Sequence, residues 1–138
     1  NNAFQRWAVR CMGRAGEEGL TSLEVMLLHA VNRRVRHGTI SDLALLLNLD
    51  DTHLINYALK KLEARGLVKA GKRGKEKTIY VTPHGASVCQ EYIATRERCL
   101  MQMLRLADAD YEELARLARI LHQLAGSYDH AARAAITD

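Results

Sequence analysis

A chain of 138 residues with 48% hydrophobic and 26% charged side chains holds enough apolar material for one packed core, and disorder is not expected. No run of about 18 apolar residues occurs, which argues against a membrane-spanning helix. No signal-peptide pattern opens the chain, and Cys11, Cys89 and Cys99 are scattered without CxxC spacing, so the expectation is a reducing cytoplasmic setting with no disulfide framework and no structural zinc.

From the N-terminus, Phe4, Trp7, Ala8 and Cys11 recur at i, i+3, i+4 and i+7, which predicts an amphipathic helix over 3–14 that Gly13, Gly16 and Gly19 break. Thr21 or Ser22 caps a second helix with Leu23, Met26, Leu27, Ala30 and Val31 on its apolar face. Arg33, Arg34, Arg36 and His37 crowd its last turn, and Gly38 ends it. Ser41-Asp42 is expected to cap a short third helix over 43–47. A turn follows at 48–51, and Asp50 or Asp51 caps a fourth helix that Gly66 stops. Leu67-Val68-Lys69 and Thr78-Ile79-Tyr80-Val81 then read as the strands of a hairpin around a basic, Gly-bracketed loop. Thr82-Pro83 starts a helix on which Val88, Tyr92, Thr95, Cys99 and Met103 recur. A last helix opens at Asp108 or Asp110 and carries Leu114, Leu117, Leu121 and Leu124. The fold class expected is mainly α with a small β-hairpin.

The net charge of +4 is unevenly placed. Residues 51–82 carry eight basic side chains against three acidic, whereas 1–50 carry six against five and 83–138 six against eight. Such a local excess is the footprint of phosphate docking. On the fourth helix Leu54, Ile55, Ala58, Leu59 and Leu62 are expected to share one face, leaving Thr52, His53, Asn56, Tyr57, Lys60 and Lys61 on the other. Those are groups that can reach base edges in the major groove: Asn pairs bidentately with adenine, and Lys reaches guanine or phosphate. The loop Gly71–Lys77 adds Lys72, Arg73, Lys75 and Lys77, with glycines that allow a tight tip. Arg73 is the side chain expected at a minor groove.

Together, Leu20-Thr21, Ile40-Ser41-Asp42-Leu43-Ala44, Lys61-Leu62-Glu63-Ala64-Arg65-Gly66-Leu67-Val68 and Val81-Thr82-Pro83-His84-Gly85 resemble the winged helix-turn-helix of the MarR family of transcriptional regulators. The flanking helices are similar in order too, so the resemblance spans nearly all of the chain. It implies a single domain over 1–138, with a DNA-binding lobe at about 20–85 and dimerisation helices at 1–15 and 86–138. It implies a DNA surface of Ser41, Thr52, His53, Asn56, Tyr57, Lys60, Lys61, Arg65, Lys72, Arg73, Lys75 and Lys77. The homodimer interface implied includes Phe4, Trp7, Leu114, Leu117, Leu121 and Leu124, which would set two recognition helices roughly 34 Å apart. The partners implied are double-stranded DNA, a second copy and a small lipophilic or phenolic effector, and the function implied is that of a repressor. Two features depart from the family: the wing tip is Gly-Lys-rich where an Asp-x-Arg pattern is common, and His53 and Tyr57 stand where small hydroxyl residues or arginine are frequent.

No catalytic residues are expected, since GxSxG, GxxxxGK[ST] and paired carboxylates are all missing, and the six histidines show no ligand spacing. Neither a metal nor a cofactor is therefore expected. Cys11, on an apolar face, reads as a small core residue rather than a redox sensor. The competing readings are a winged-helix module that binds protein and a nucleoid-type binder without sequence preference.

Overall fold

The computed structural model describes residues 2–33, 38–73, 76–106 and 110–137. The elements are α1 (Asn2–Arg14), α2 (Ser22–Arg33), β1 (Gly38–Thr39), α3 (Ile40–Leu47), α4 (Thr52–Ala64), β2 (Val68–Arg73), β3 (Glu76–Val81), α5 (Pro83–Leu106) and α6 (Tyr111–Thr137). They fall into two compact units, residues 1–99 and 100–138. The fold is mainly α with a three-stranded antiparallel sheet in the order β1-β3-β2. No described helix is long and apolar enough to cross a membrane.

Helix boundaries follow local chemistry. Thr21 and Glu24 form a reciprocal cap: Thr21 N–H donates to Glu24 Oε2 at 2.8 Å and Glu24 N–H to Thr21 Oγ1 at 3.3 Å. Asp51 caps α4 through His53 N–H at 2.8 Å. Its other end is a Schellman turn, with Leu67 N–H donating to Leu62 O at 3.0 Å and Gly66 N–H to Glu63 O at 2.9 Å. Gly66 sits at φ +69° there, a conformation that costs glycine least. Asp110 Oδ1 accepts from Glu112 N–H at 2.8 Å and opens α6.

Three expectations are corrected. The cap of α3 is Thr39, not Ser41-Asp42. Asp42 N–H donates to Thr39 Oγ1 at 3.1 Å and Thr39 N–H returns to Asp42 Oδ2 at 3.2 Å, so the helix starts at Ile40. A third strand is present, because Gly38 and Thr39 pair with Ile79 and Thr78; two residues are too short to show alternation. The hairpin strands also run further toward the tip than expected, through Arg73 and from Glu76. Residues 34–37, 74–75 and 108, which carry the Arg34, Arg36, His37, Lys75 and Asp108 readings, lie outside the described residues.

The core of the first unit joins Ala8, Cys11 and Met12 of α1 to Val25, Leu27 and Leu28 of α2, Leu43, Ile55, Leu59, Leu62 and Leu67, and Val88, Cys89 and Tyr92 of α5. The apolar row of α5 stays buried through Thr95 and then emerges, so Cys99 and Met103 are exposed rather than core. Burial pushes the Cys89 thiol up to about 11. Burial, with Cys99 nearby, also raises Cys11, so both act as small apolar residues and not as thiolates.

His29 and Tyr92 meet edge to face at 5.8 Å. Burial first, then the charges of Arg96 and Arg33, hold His29 below its ordinary 6.5. As the pH falls below 6.5 the unfolded chain binds a proton at His29 that the folded chain resists, so stability present above that pH is lost on acidification. His29→Gln should therefore show a smaller drop in Tm between about pH 7.5 and pH 5.5 than the parent. Equal drops in thermal melts would show that His29 is not the titrating group.

Candidate nucleic-acid interface

Helix α4 buries Ile55, Ala58, Leu59 and Leu62, and turns Thr52, His53, Tyr57 and Lys60 outward. Asn56 is half-buried at the flank, and its Nδ2 donates to Thr52 O at 2.8 Å, one turn back along its own helix. Ser41 is exposed at the start of α3. The expected core position Leu54 is instead 53% exposed. At the N-terminal end of α4 it lies at the edge of the buried stripe, about a quarter-turn from its centre.

The cations divide into two groups. Lys61 Nζ lies 3.0 Å from Glu24 Oε1 and 3.1 Å from Glu24 Oε2, and it reaches Gly19 O at 3.5 Å. Arg65 Nη1 lies 3.0 Å from Glu17 Oε2 and donates to Glu18 O at 2.8 Å, while His84 Nε2 is 3.3 Å from Glu17 Oε1. Lys61 and Arg65 thus have their charges met within the chain and fix α4 against α2 and the segment before it. Lys60, Lys69, Lys72 and Lys77 are exposed, with no ion pair among the described residues. Glu63, the one acid within α4, is exposed and bonded to the wing, its Oε1 accepting from Ala70 N–H at 3.0 Å.

In the wing, Lys72 and Lys77 are direct cross-strand partners. Like charges placed opposite one another destabilise a sheet, and a bound anion relieves the repulsion. Arg73 is the Cα partner of Glu76. The base of the wing is tied to α5 by Thr82. Its N–H donates to Leu67 O at 3.1 Å, and its Oγ1 donates to Gly66 O at 2.6 Å and accepts from Gly85 N–H at 3.0 Å. A Cβ on residue 85 would fall on the carbonyl oxygen of Leu67, so this approach requires glycine.

Residues 20–85, the stretch that holds α3, α4 and the hairpin, match the family described as the winged helix DNA-binding domain. The whole chain superimposes on a MarR family transcription regulator at a TM-score of 0.75 and 14% identity, covering 96% of this chain and 85% of that one. The fold is that of the MarR family. A MarR family regulator from Rhodococcus sp. RHA1 gives a TM-score of 0.73 at 15% identity, covering 90% and 85%. The oxidized form of MarR from E. coli gives 0.70 at 18%, covering 90% and 87%. At such identities the likeness is one of fold. No curated protein matches the chain in sequence. Within the MarR fold the third and fourth helices are the helix-turn-helix and the β2–β3 hairpin is the wing.

The orienting carboxylates Glu17, Glu24 and Glu63 are absent from the sequence-derived site. Only Glu24 carried a signal, the Thr-x-x-Glu spacing of a capping box. Lys61→Met should cost about 1–3 kcal/mol of unfolding free energy, because it leaves the buried Glu24 carboxylate with its backbone cap alone. Lys60→Met, at an exposed unpaired site, should stay within about 0.5 kcal/mol. Urea titrations of the two variants measure this directly, and equal costs would remove the distinction between orienting and free lysines.

Proposed function

We propose that the chain is a sequence-specific transcriptional regulator, a repressor, that binds double-stranded DNA as a homodimer and catalyses no reaction. The observation that carries this reading is the joint cationic surface of α4 and the wing, where Lys60, Lys69, Lys72 and Lys77 stand exposed, Glu24 is buried against Lys61 and Glu63 accepts from the wing backbone. A duplex meets such a surface twice, with base edges in the major groove and phosphates along the wing. Thr52, His53, Asn56 and Tyr57 serve as base readers, with Ser41 and the wing cations as anchors.

The homodimer is supported by the second unit taken by itself. Leu114, Leu117, Leu121, Leu124 and Tyr128 of α6 are all exposed. Their alternating spacing of three and four is that of a coiled-coil seam, which a lone helix in water has no means of covering. In the first unit Phe4 is exposed beside Trp7, their rings 5.8 Å apart, while Arg96 lies over the Trp7 ring at 4.9 Å. Effector binding is supported by a pocket of about 540 Å³, of small-molecule size, between α2 and α3, lined by Met26, His29, Ala30, Arg33, Leu46 and Leu47.

Light scattering at micromolar concentration should give the mass of two chains, and a single-chain mass would count against the dimer. Selection of duplexes from a random pool at two salt concentrations tests the central reading. Enrichment of a pseudo-palindrome with half-sites about one helical turn apart is expected. On that duplex Asn56→Ala should relax base preference at a cost of about 1–3 kcal/mol, and Lys72→Ala should weaken all duplexes alike and reduce the salt slope by about one. Salt-sensitive binding without enrichment would indicate a nucleoid-type binder, and no binding would favour the protein-interaction module.

A further inference from the structure

We propose that Leu54 and Tyr57 read the C5-methyl groups of thymines, so that the half-site carries A·T pairs where these two side chains meet the major groove. This rests on the DNA-binding reading above and names the base chemistry that its recognition helix selects.

Leu54 is 53% exposed and Tyr57 72% exposed, although Ile55, Ala58, Leu59 and Leu62 of the same helix are fully buried. At i and i+3 the two side chains adjoin on one side of the N-terminal half of α4, the half that lies nearest the bases in a helix-turn-helix. The polar readers around them are partly committed already. The Asn56 amide nitrogen donates to the Thr52 carbonyl at 2.8 Å. Beside Thr52 and His53, Leu54 and Tyr57 are the large exposed apolar groups that this face offers a base.

An exposed apolar ridge could meet a protein or DNA, and its surroundings decide for DNA. Lys60 lies on the same helix face, Lys69, Lys72 and Lys77 are exposed on the wing, and Glu63 is bonded to Ala70 N–H. An apolar protein surface has no use for those cations. A duplex presents a dense anionic backbone beside one apolar group in its major groove, the thymine methyl. Leucine and the tyrosine ring can enclose that methyl, and leucine offers no hydrogen bond that would favour guanine or cytosine.

The test replaces each thymine of the selected duplex, one at a time, by deoxyuridine, which removes the methyl and keeps every hydrogen-bonding group. Affinities are measured for the parent, Leu54→Ala and Tyr57→Ala, each first shown by circular dichroism and thermal melting to be folded. The parent should lose about fourfold in affinity per methyl removed at one or two positions in each half-site, the size expected for uncovering one buried methyl. Leu54→Ala or Tyr57→Ala should bind the thymine duplex more weakly and show little further loss on deoxyuridine at the position it contacts. Three outcomes overturn the proposal while leaving DNA binding intact: selected half-sites without thymine, indifference of the parent to deoxyuridine, or equal sensitivity of the parent and both variants. The last would place the effect in DNA shape. Failure to bind any duplex overturns both this proposal and the regulator reading. Because the parent measurements need no substitution, they decide the matter even if one variant misfolds.

Discussion

The orientation of α4 depends on one buried carboxylate. Glu24 is 3% exposed, and a carboxylate taken out of water costs several kcal/mol unless every oxygen is met. Here Thr21 N–H and the Lys61 ammonium meet it. The first contact caps α2 and the second holds α4, so one side chain couples the start of a core helix to the helix proposed to face DNA. Arg65 repeats the arrangement one turn later, with Glu17 shared by His84 at the start of α5. Breaking either pair would loosen the angle at which α4 is presented, without touching any group that meets a base.

The wing is held by a different device. Leu67 sits at the Schellman end of α4, its carbonyl accepts from Thr82, and the Gly85 backbone packs on that same carbonyl. Helix α4, the sheet and α5 therefore meet at a single peptide unit. This gives a physical reason for the sequence pattern Gly66-Leu67 followed by Thr82-x-x-Gly85: each residue supplies a turn, a hydrogen bond or an absent side chain at the junction. Above it the opposed Lys72 and Lys77 raise the energy of the free wing slightly and lower it again when an anion arrives. Stability at the base and repulsion toward the tip suit the phosphate contact proposed for the hairpin.

The two compact units divide the labour. The first carries the packed core, the cationic surface and the pocket beside His29, whereas α6 of the second leaves a long apolar seam in water. A helix built this way has little reason to fold as it does without a partner for its seam. That exposed surface supports the proposed homodimer, in which the two copies of α4 would be related by a two-fold axis.

The amino-acid sequence by itself determined what rests on neighbours three or four residues apart. Asp51 and Thr82-Pro83 open helices, Gly66 closes one, the β-branched run 78–81 makes a strand, and the excess of cations lies at 51–82. These signals are local, because caps, turns and periodicities act within a single helical turn. Tertiary structure decided which of those cations remain free. Lys61 and Lys60 are adjacent and chemically identical, yet only Lys61 finds a carboxylate, 37 residues away in the chain; Arg65 finds its own 48 residues away. It also decided that Leu54 points to solvent, since an apolar residue at the edge of a stripe is covered only if a neighbouring element reaches it. Pairing and burial at such separations depend on how helices pack, and no periodicity along the chain encodes that.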